Sequence, residues 1–172
     1  MTNFRKTLLK TRRFEVIEET VAREDGQTAS CQYVAHPGSV AILPLVDADY
    51  ICLIRNRRLT VQATLIEIPA GTREPGEPPE ETARRELEEE TGYQAAHWEK
   101  LAEFYASPGI LSERMHVFVA SELTAGPAHR EANEEIENFV VTWAEALAMV
   151  DRGEIVDGKT IVALLAYERR RP

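Results

Sequence analysis

Short apolar and β-branched runs, separated by turn residues, dominate the first part of the chain. RFEVIEETVA (Arg13 to Ala22) and TASCQYVA (Thr28 to Ala35) flank Glu24-Asp25-Gly26-Gln27, whose turn chemistry predicts an N-terminal hairpin. After Pro37-Gly38, the runs SVAILPLV, YICLIR (Tyr50 to Arg55) and TLIEIP (Thr64 to Pro69) predict three more strands, with Asp47-Ala48-Asp49 as a turn. Further on, WEKLAEFYA, MHVFVASEL and IENFVVTW also read as strands, joined by polar loops at Ser107 to Arg114 and Thr124 to Glu134.

The pattern changes after Pro78-Pro79. Proline opens a helix at little cost because the first amides have no intrahelical partner, and ETARRELEEE continues with strong helix formers as far as Gly92, a natural stop. Two shorter helices are expected near Ala144 to Arg152 and Lys159 to Arg169. Strands outnumber helices, which points to an α+β fold. There is no internal repeat, low-complexity tract or linker, so the 172 residues are expected to form one domain.

Composition narrows the partners. Twenty Lys and Arg against 29 Asp and Glu give a formal charge of -9, which repels a phosphate backbone at long range and argues against nucleic acid. A small phosphorylated ligand remains compatible if metal ions and local arginines reverse the field inside a cleft. No apolar run approaches the length of a membrane span, and none has the form of a signal peptide, so a soluble protein with no membrane partner is expected. Cys31 and Cys52 sit among apolar or small neighbours and are read as buried reduced thiols, which fits the cytoplasm.

Candidate chemistry is concentrated between Gly71 and Tyr93, in GTREPGEPPEETARRELEEETGY, where seven acidic residues run from Glu77 to Glu90. On a helix, Glu86, Glu89 and Glu90 fall at i, i+3 and i+4 and share one face within one turn. Like charges so placed repel one another unless cations occupy the cluster, and hard carboxylate oxygens suit Mg2+ or Mn2+ rather than zinc. A solvated acidic face is the competing reading of spacing alone.

The rest of the segment decides between them. Gly71, Glu77, Arg85-Glu86-Leu87, Glu89-Glu90 and Gly92 stand at the spacings that identify the chain as resembling the Nudix superfamily; only Tyr93, usually aliphatic there, departs slightly. Seven or more fixed residues in 23 positions match by chance on the order of once in a billion windows. The resemblance implies the Nudix fold, an α/β/α sandwich around a mixed β-sheet, here with an N-terminal β-hairpin extension. It implies that Glu86, Glu89, Glu90 and the carbonyl of Ala70 hold divalent cations, Mg2+ with Mn2+ as an alternative, against a substrate diphosphate. Glu77 and Arg85 are then structural, with Arg85 reaching loop carboxylates or orienting the metal-binding glutamates. The reaction expected is in-line attack of water on phosphorus, with a carboxylate accepting the proton.

Features outside residues 71–93 narrow the substrate. Pro108, followed by Gly109, lies sixteen residues beyond Gly92, a spacing that resembles the ADP-ribose pyrophosphatase subfamily, as do LIEIPAG and YASPGILSERMHVFVA. Pro-Gly is also ordinary turn chemistry. The resemblance implies that ADP-ribose is hydrolysed to AMP and ribose 5-phosphate, and that Glu134, in REANEEIENF, activates the water alongside Glu90. Glu131, Glu134 and Glu135 can equally be solvated loop charges, and Glu113 is a second candidate base. Arg58 matches an arginine that reaches phosphate in related enzymes, whereas Arg55 and Arg57 can be surface charges. Phe14 is a candidate to stack on adenine or to pack in the core. By resemblance, residues 1–36 form a dimerisation element in a homodimer.

Rival readings are a GDP-mannose or other sugar-nucleotide pyrophosphatase, an ADP-ribose-binding sensor that does not hydrolyse its ligand, and an acidic interaction module. The sensor is expected to lose the helix carboxylates, and all three are present. Gly153 to Thr160 satisfies a written P-loop pattern, but a helix precedes it and it contains Glu154 and Asp157, so no phosphate cradle is expected. His36, His97, His116 and His129 show no ligand spacing, and no nucleophile elbow is present.

Overall fold

The computed structural model describes residues 4–11, 14–130 and 135–171. Among them the elements run β1 (Phe4–Lys10), β2 (Glu15–Ala22), β3 (Thr28–Ala35), β4 (Ser39–Pro44), β5 (Tyr50–Arg58), β6 (Ala63–Glu67), β7 (Ala70–Thr72), α1 (Pro79–Thr91), β8 (Tyr93–Tyr105), β9 (Arg114–Ala125), β10 (Ile136–Thr142), α2 (Trp143–Asp151) and α3 (Gly158–Glu168). The strands form three sheets ordered β1-β2-β3, β10-β5-β6 and β7-β4-β9-β8. The last is mixed, because β4 runs parallel to β9 while β7 and β8 are antiparallel to their neighbours. This is the mixed α+β architecture expected from the sequence.

β4 explains how the layers join. All six of its residues are buried, as expected for a strand covered on both faces. Side chains alternate along a strand, so Val40 and Ile42 pack with Ala83 and Leu87 of α1 and with Phe118 and Ala120 of β9. Ala41 and Leu43 point the other way, into a core with Ile51 and Leu53 of β5, Val117 and Val119 of β9, Ala146 of α2 and Leu164 of α3. One mixed sheet thus has α1 on one side and α2, α3 and the β5 sheet on the other.

Two elements were not legible in the pattern. The expected hairpin is a three-stranded sheet, since β1 pairs with β2 from Phe4↔Thr20 to Lys10↔Glu15. Every residue of β1 is exposed, so FRKTLLK has no buried face whose period could mark it. β7 is three residues long, too short to carry a period.

The thiols need a correction. Cys52 is buried on β5, and burial pushes its pKa up to about 12, against weaker opposing effects from Asn138 and Arg130. Cys31 is exposed instead, because β3 lies in the N-terminal sheet and presents that position to solvent.

Candidate active site

The geometry of the site begins at the two ends of α1. Pro78 has extended dihedrals before Pro79 opens the helix, and Gly92 closes it in the left-handed region at φ 77°, its N–H donating to Glu88 O. A Cβ at Gly92 would lie 2.2 Å from Gly126 O, so both conformation and space call for glycine. The helix buries Ala83 and Leu87 against the sheet. That docking turns Glu86, Glu89 and Glu90 towards a cleft of about 870 Å3.

β7 lies directly against these carboxylates. The N–H of Ala70 donates to Glu90 Oε2 at 2.9 Å, and Glu90 is almost fully buried. A Cβ on Gly71 would fall 1.9 to 2.3 Å from the carboxyl atoms of Glu86, so this glycine leaves the room that the glutamate occupies.

Arg85 reaches the loop carboxylate of Glu77 and two of the helix glutamates. Its Nη1 donates to Glu86 Oε1 at 2.7 Å and to Glu89 Oε2 at 3.0 Å, and its Nε and Nη2 reach the two Glu77 oxygens at 3.3 Å each. One guanidinium thus sits among three carboxylates and offsets their mutual repulsion. Burial acts to raise the Glu77 carboxyl, but Arg85, the Glu74 N–H and the Thr82 hydroxyl outweigh it and bring the pKa to about 2. Arg85 is itself held well above the ordinary arginine range: desolvation opposes this, and the bonds to Glu77 and Glu86 prevail.

Phe14 and Arg58 line the same cleft as Ala70, Glu86, Glu89 and Glu90. Phe14 is partly exposed, so the core-packing alternative is not what the structure shows. Arg58 grips Glu67 with Nε and Nη2 at 2.8 and 2.6 Å, and its Nη1 makes no protein hydrogen bond among the described residues. Arg55 lies over the Phe139 ring at 4.0 Å and pairs with Glu137 at 3.6 Å, away from the cleft lining.

Other candidates fall elsewhere. Pro108 and Gly109 are exposed on the turn after β8 and do not line this cleft. The same turn is tied to β3 by Val34 N–H donating to Ile110 O and Ser112 N–H to Val34 O, close to Ala35 and His36 on the cleft wall. Glu113 accepts from Ser39 Oγ at 2.6 Å and lies 3.6 Å from His36 Nδ1. Glu134 and Glu131 lie outside the described residues; Glu135 is exposed.

Several contributors escaped the sequence reading. Arg73 and Lys10 line the cleft, Arg73 donating twice to Glu77 O. Arg130 Nε donates to Glu90 O at 3.0 Å and His129 N–H to Glu89 O at 2.9 Å, tying the chain before residue 131 to the last turn of α1. Glu67 is fully buried at the end of β6, and its one visible signal was a lone charge inside the apolar run LIEIP.

The carboxylates of Glu86, Glu89 and Glu90 offer oxygen donors of the kind hard divalent cations prefer. Among the described residues no three acidic or imidazole side chains are already gathered as a metal site; Glu86 and Glu89 are turned onto Arg85. The chemistry of these donors suits a divalent cation, and Gly71 leaves the room in which the Glu86 carboxylate sits.

The NUDIX domain model matches residues 35–164. An ADP-ribose pyrophosphatase of Bacillus subtilis is 43% identical over 148 residues, covering 85% of this chain and 80% of that one. A GDP-mannose pyrophosphatase of Citrobacter koseri is 35% identical over 136 residues, covering 74% of this chain and 71% of that one. In structure, an ADP compounds hydrolase superposes with a TM-score of 0.84 over 98% of this chain and 92% of the other, at 23% identity, a likeness of fold.

Proposed function

This chain belongs to the NUDIX domain family and is a Nudix hydrolase, and we propose that it cleaves the pyrophosphate bond of a nucleoside diphosphate-sugar in a Mg2+-dependent reaction, with ADP-ribose as substrate. The observation that carries this reading is the cleft itself. Its wall combines an acidic helix face with Arg58 and Arg85, which is what a diphosphate bridged to a cation requires.

In this reading Glu86, Glu89, Glu90 and the Ala70 carbonyl hold the cation. A divalent cation bound there, Mg2+ or in its place Mn2+, would supply positive charge to the diphosphate and make water more acidic. Arg58, through its remaining Nη1, contacts a phosphate oxygen, and Phe14 stacks on the base. Water attacks phosphorus, the bond from phosphorus to the bridging oxygen breaks, and a carboxylate takes the water proton. Glu134 is the proposed base, working beside Glu90; Glu113 suits the role less well because Ser39 and His36 already engage it. Pro108 and Gly109, which do not line the cleft, would contribute to substrate binding through the turn joined to β3. The products are AMP and ribose 5-phosphate.

GDP-mannose is the second reading, supported by the similarity to the Citrobacter koseri enzyme; it needs the same acidic face and differs only in base and sugar contacts. A sensor that binds without hydrolysis is disfavoured by the intact set of helix glutamates. We also propose one domain spanning 1–172, working as a homodimer through residues 1–36, in the cytoplasm. β1 supports the dimer with a wholly exposed strand bearing Phe4, Leu8 and Leu9, and the unpaired exposed Cys31 suits a reducing compartment. No helix among the described residues is long and apolar enough to cross a membrane.

The test is Mg2+-dependent hydrolysis of ADP-ribose beside GDP-mannose, NADH, diadenosine polyphosphates and ATP, with products identified by chromatography. ADP-ribose yielding AMP and ribose 5-phosphate well above the others is the expected result. Preferential cleavage of GDP-mannose would move the assignment to the second reading, and no cleavage of any substrate would overturn it. Sedimentation gives the oligomeric state, and a monomer would remove the dimer.

A further inference from the structure

The segment that imitates a P-loop, Gly153 to Thr160, has an internal partner. Lys159, on the first turn of α3 and mostly buried, places Nζ 2.6 Å from Glu67 Oε2 and 3.0 Å from Asp157 Oδ1. Thr160 Oγ donates to Asp157 Oδ2 at 2.6 Å and accepts the Ile68 N–H at 2.9 Å. These side chains therefore hold Glu67 at the end of β6 and Ile68 just beyond it, rather than cradle a ligand.

The charge arrangement gives these contacts a purpose. Glu67 is completely buried and is shared by Arg58 and Lys159. Burial acts to raise its carboxyl, but the Arg58 hydrogen bonds and the charge of Lys159 outweigh that and hold it below the ordinary range, so it is an anion. A carboxylate that aims Arg58 also cancels its charge and repels the anionic substrate Arg58 is to bind. Lys159 supplies the second cation that leaves this trio net positive. Asp157 tempers this charge, since it lies 3.0 Å from Lys159 and also acts on Arg58, but it is partly offset as the cap of α3, where it accepts the Thr160 N–H at 3.0 Å and the helix amides attract negative charge.

We propose that Lys159 is a positioning residue for substrate binding: through Glu67 it fixes the orientation of Arg58 and preserves the positive charge that Arg58 presents to the substrate diphosphate. This rests on the reading of Arg58 as a phosphate contact.

The experiment measures KM and kcat for ADP-ribose with Mg2+, together with the thermal midpoint, in the wild type, Lys159→Met, Lys159→Arg, Arg58→Ala and the double variant Arg58→Ala/Lys159→Met. Lys159→Met is expected to raise KM about tenfold with kcat within about threefold, and Lys159→Arg to restore most of the loss. In the Arg58→Ala background the same change adds less than about twofold, because Lys159 acts through Arg58. If Lys159→Met does not fold, Lys159→Gln, which keeps a donor to Glu67 and loses the charge, takes its place under the same criteria. A lowered thermal midpoint with KM unchanged, or full additivity in the double variant, overturns the proposal. An Arg58→Ala variant with unchanged KM overturns the reading of Arg58 itself, and the proposal with it.

Discussion

The N–H of Ala70 donates to Oε2 of Glu90 at 2.9 Å, joining the start of β7 to the last turn of α1 across twenty residues of chain. Glutamine at position 90 keeps an oxygen for that N–H and loses only the negative charge. Glu90→Gln is therefore expected to fold with a thermal midpoint close to wild type while kcat falls roughly 10²- to 10³-fold. Unchanged turnover removes Glu90 from the mechanism.

Gly71→Ala tests the space beside Glu86. Its Cβ would stand within 2.3 Å of that carboxylate, so Glu86 must turn away. The expected outcome is weaker activation by Mg2+, by about tenfold or more in the concentration required, at near-native stability. Calorimetric titration of Mg2+ checks it directly.

Arg58→Lys preserves the charge and discards the fork. An ammonium has three donors but no planar fork, so it cannot reproduce the paired grip on the Glu67 oxygens at 2.8 and 2.6 Å with a further donor held in the direction of the cleft. KM for ADP-ribose is expected to rise about tenfold, with kcat less affected. Equal steady-state parameters for the two proteins would show that charge alone suffices there.

Glu77 carries a pH signature. Its folded pKa of about 2 lies below the ordinary 4.5, so between these values the unfolded chain binds the proton more readily. The Glu77–Arg85 contribution is thus fully present above pH 4.5 and is lost as pH falls towards 2. Compared with wild type, Glu77→Gln should be less stable by about 2 kcal/mol near neutral pH, with the difference shrinking through that acid window. Denaturant midpoints recorded from pH 7 to pH 3 would reveal it, and a constant difference would contradict the assignment.

Where the chain alternates or repeats against a core, the sequence was readable. α1 announced both ends, Pro79 and Gly92, and the strands from Ser39 onward carry apolar runs because two layers cover them. β1 escaped because nothing packs on it, so no selection for a buried face marks its residues. The helix carboxylates and Arg58 were found from spacing and resemblance, and they share a cleft. Lys159 was seen only as part of a misleading pattern, since its partner Glu67 lies 92 residues earlier and only the tertiary fold brings them together. Arg130 was invisible for the same reason: a helix carbonyl is a partner that any distant arginine can reach.

β4 has no side facing water, and its neighbouring residues answer to different cores. Peeling α1 from the sheet strips Val40 and Ile42, while loosening α3 strips Ala41 and Leu43, so either event withdraws support from the same backbone. Partial opening of one layer is therefore costly for the other, and melting in this region is expected to be all or none. The slowest-exchanging amides of the molecule belong on β4 and on β9, its parallel neighbour.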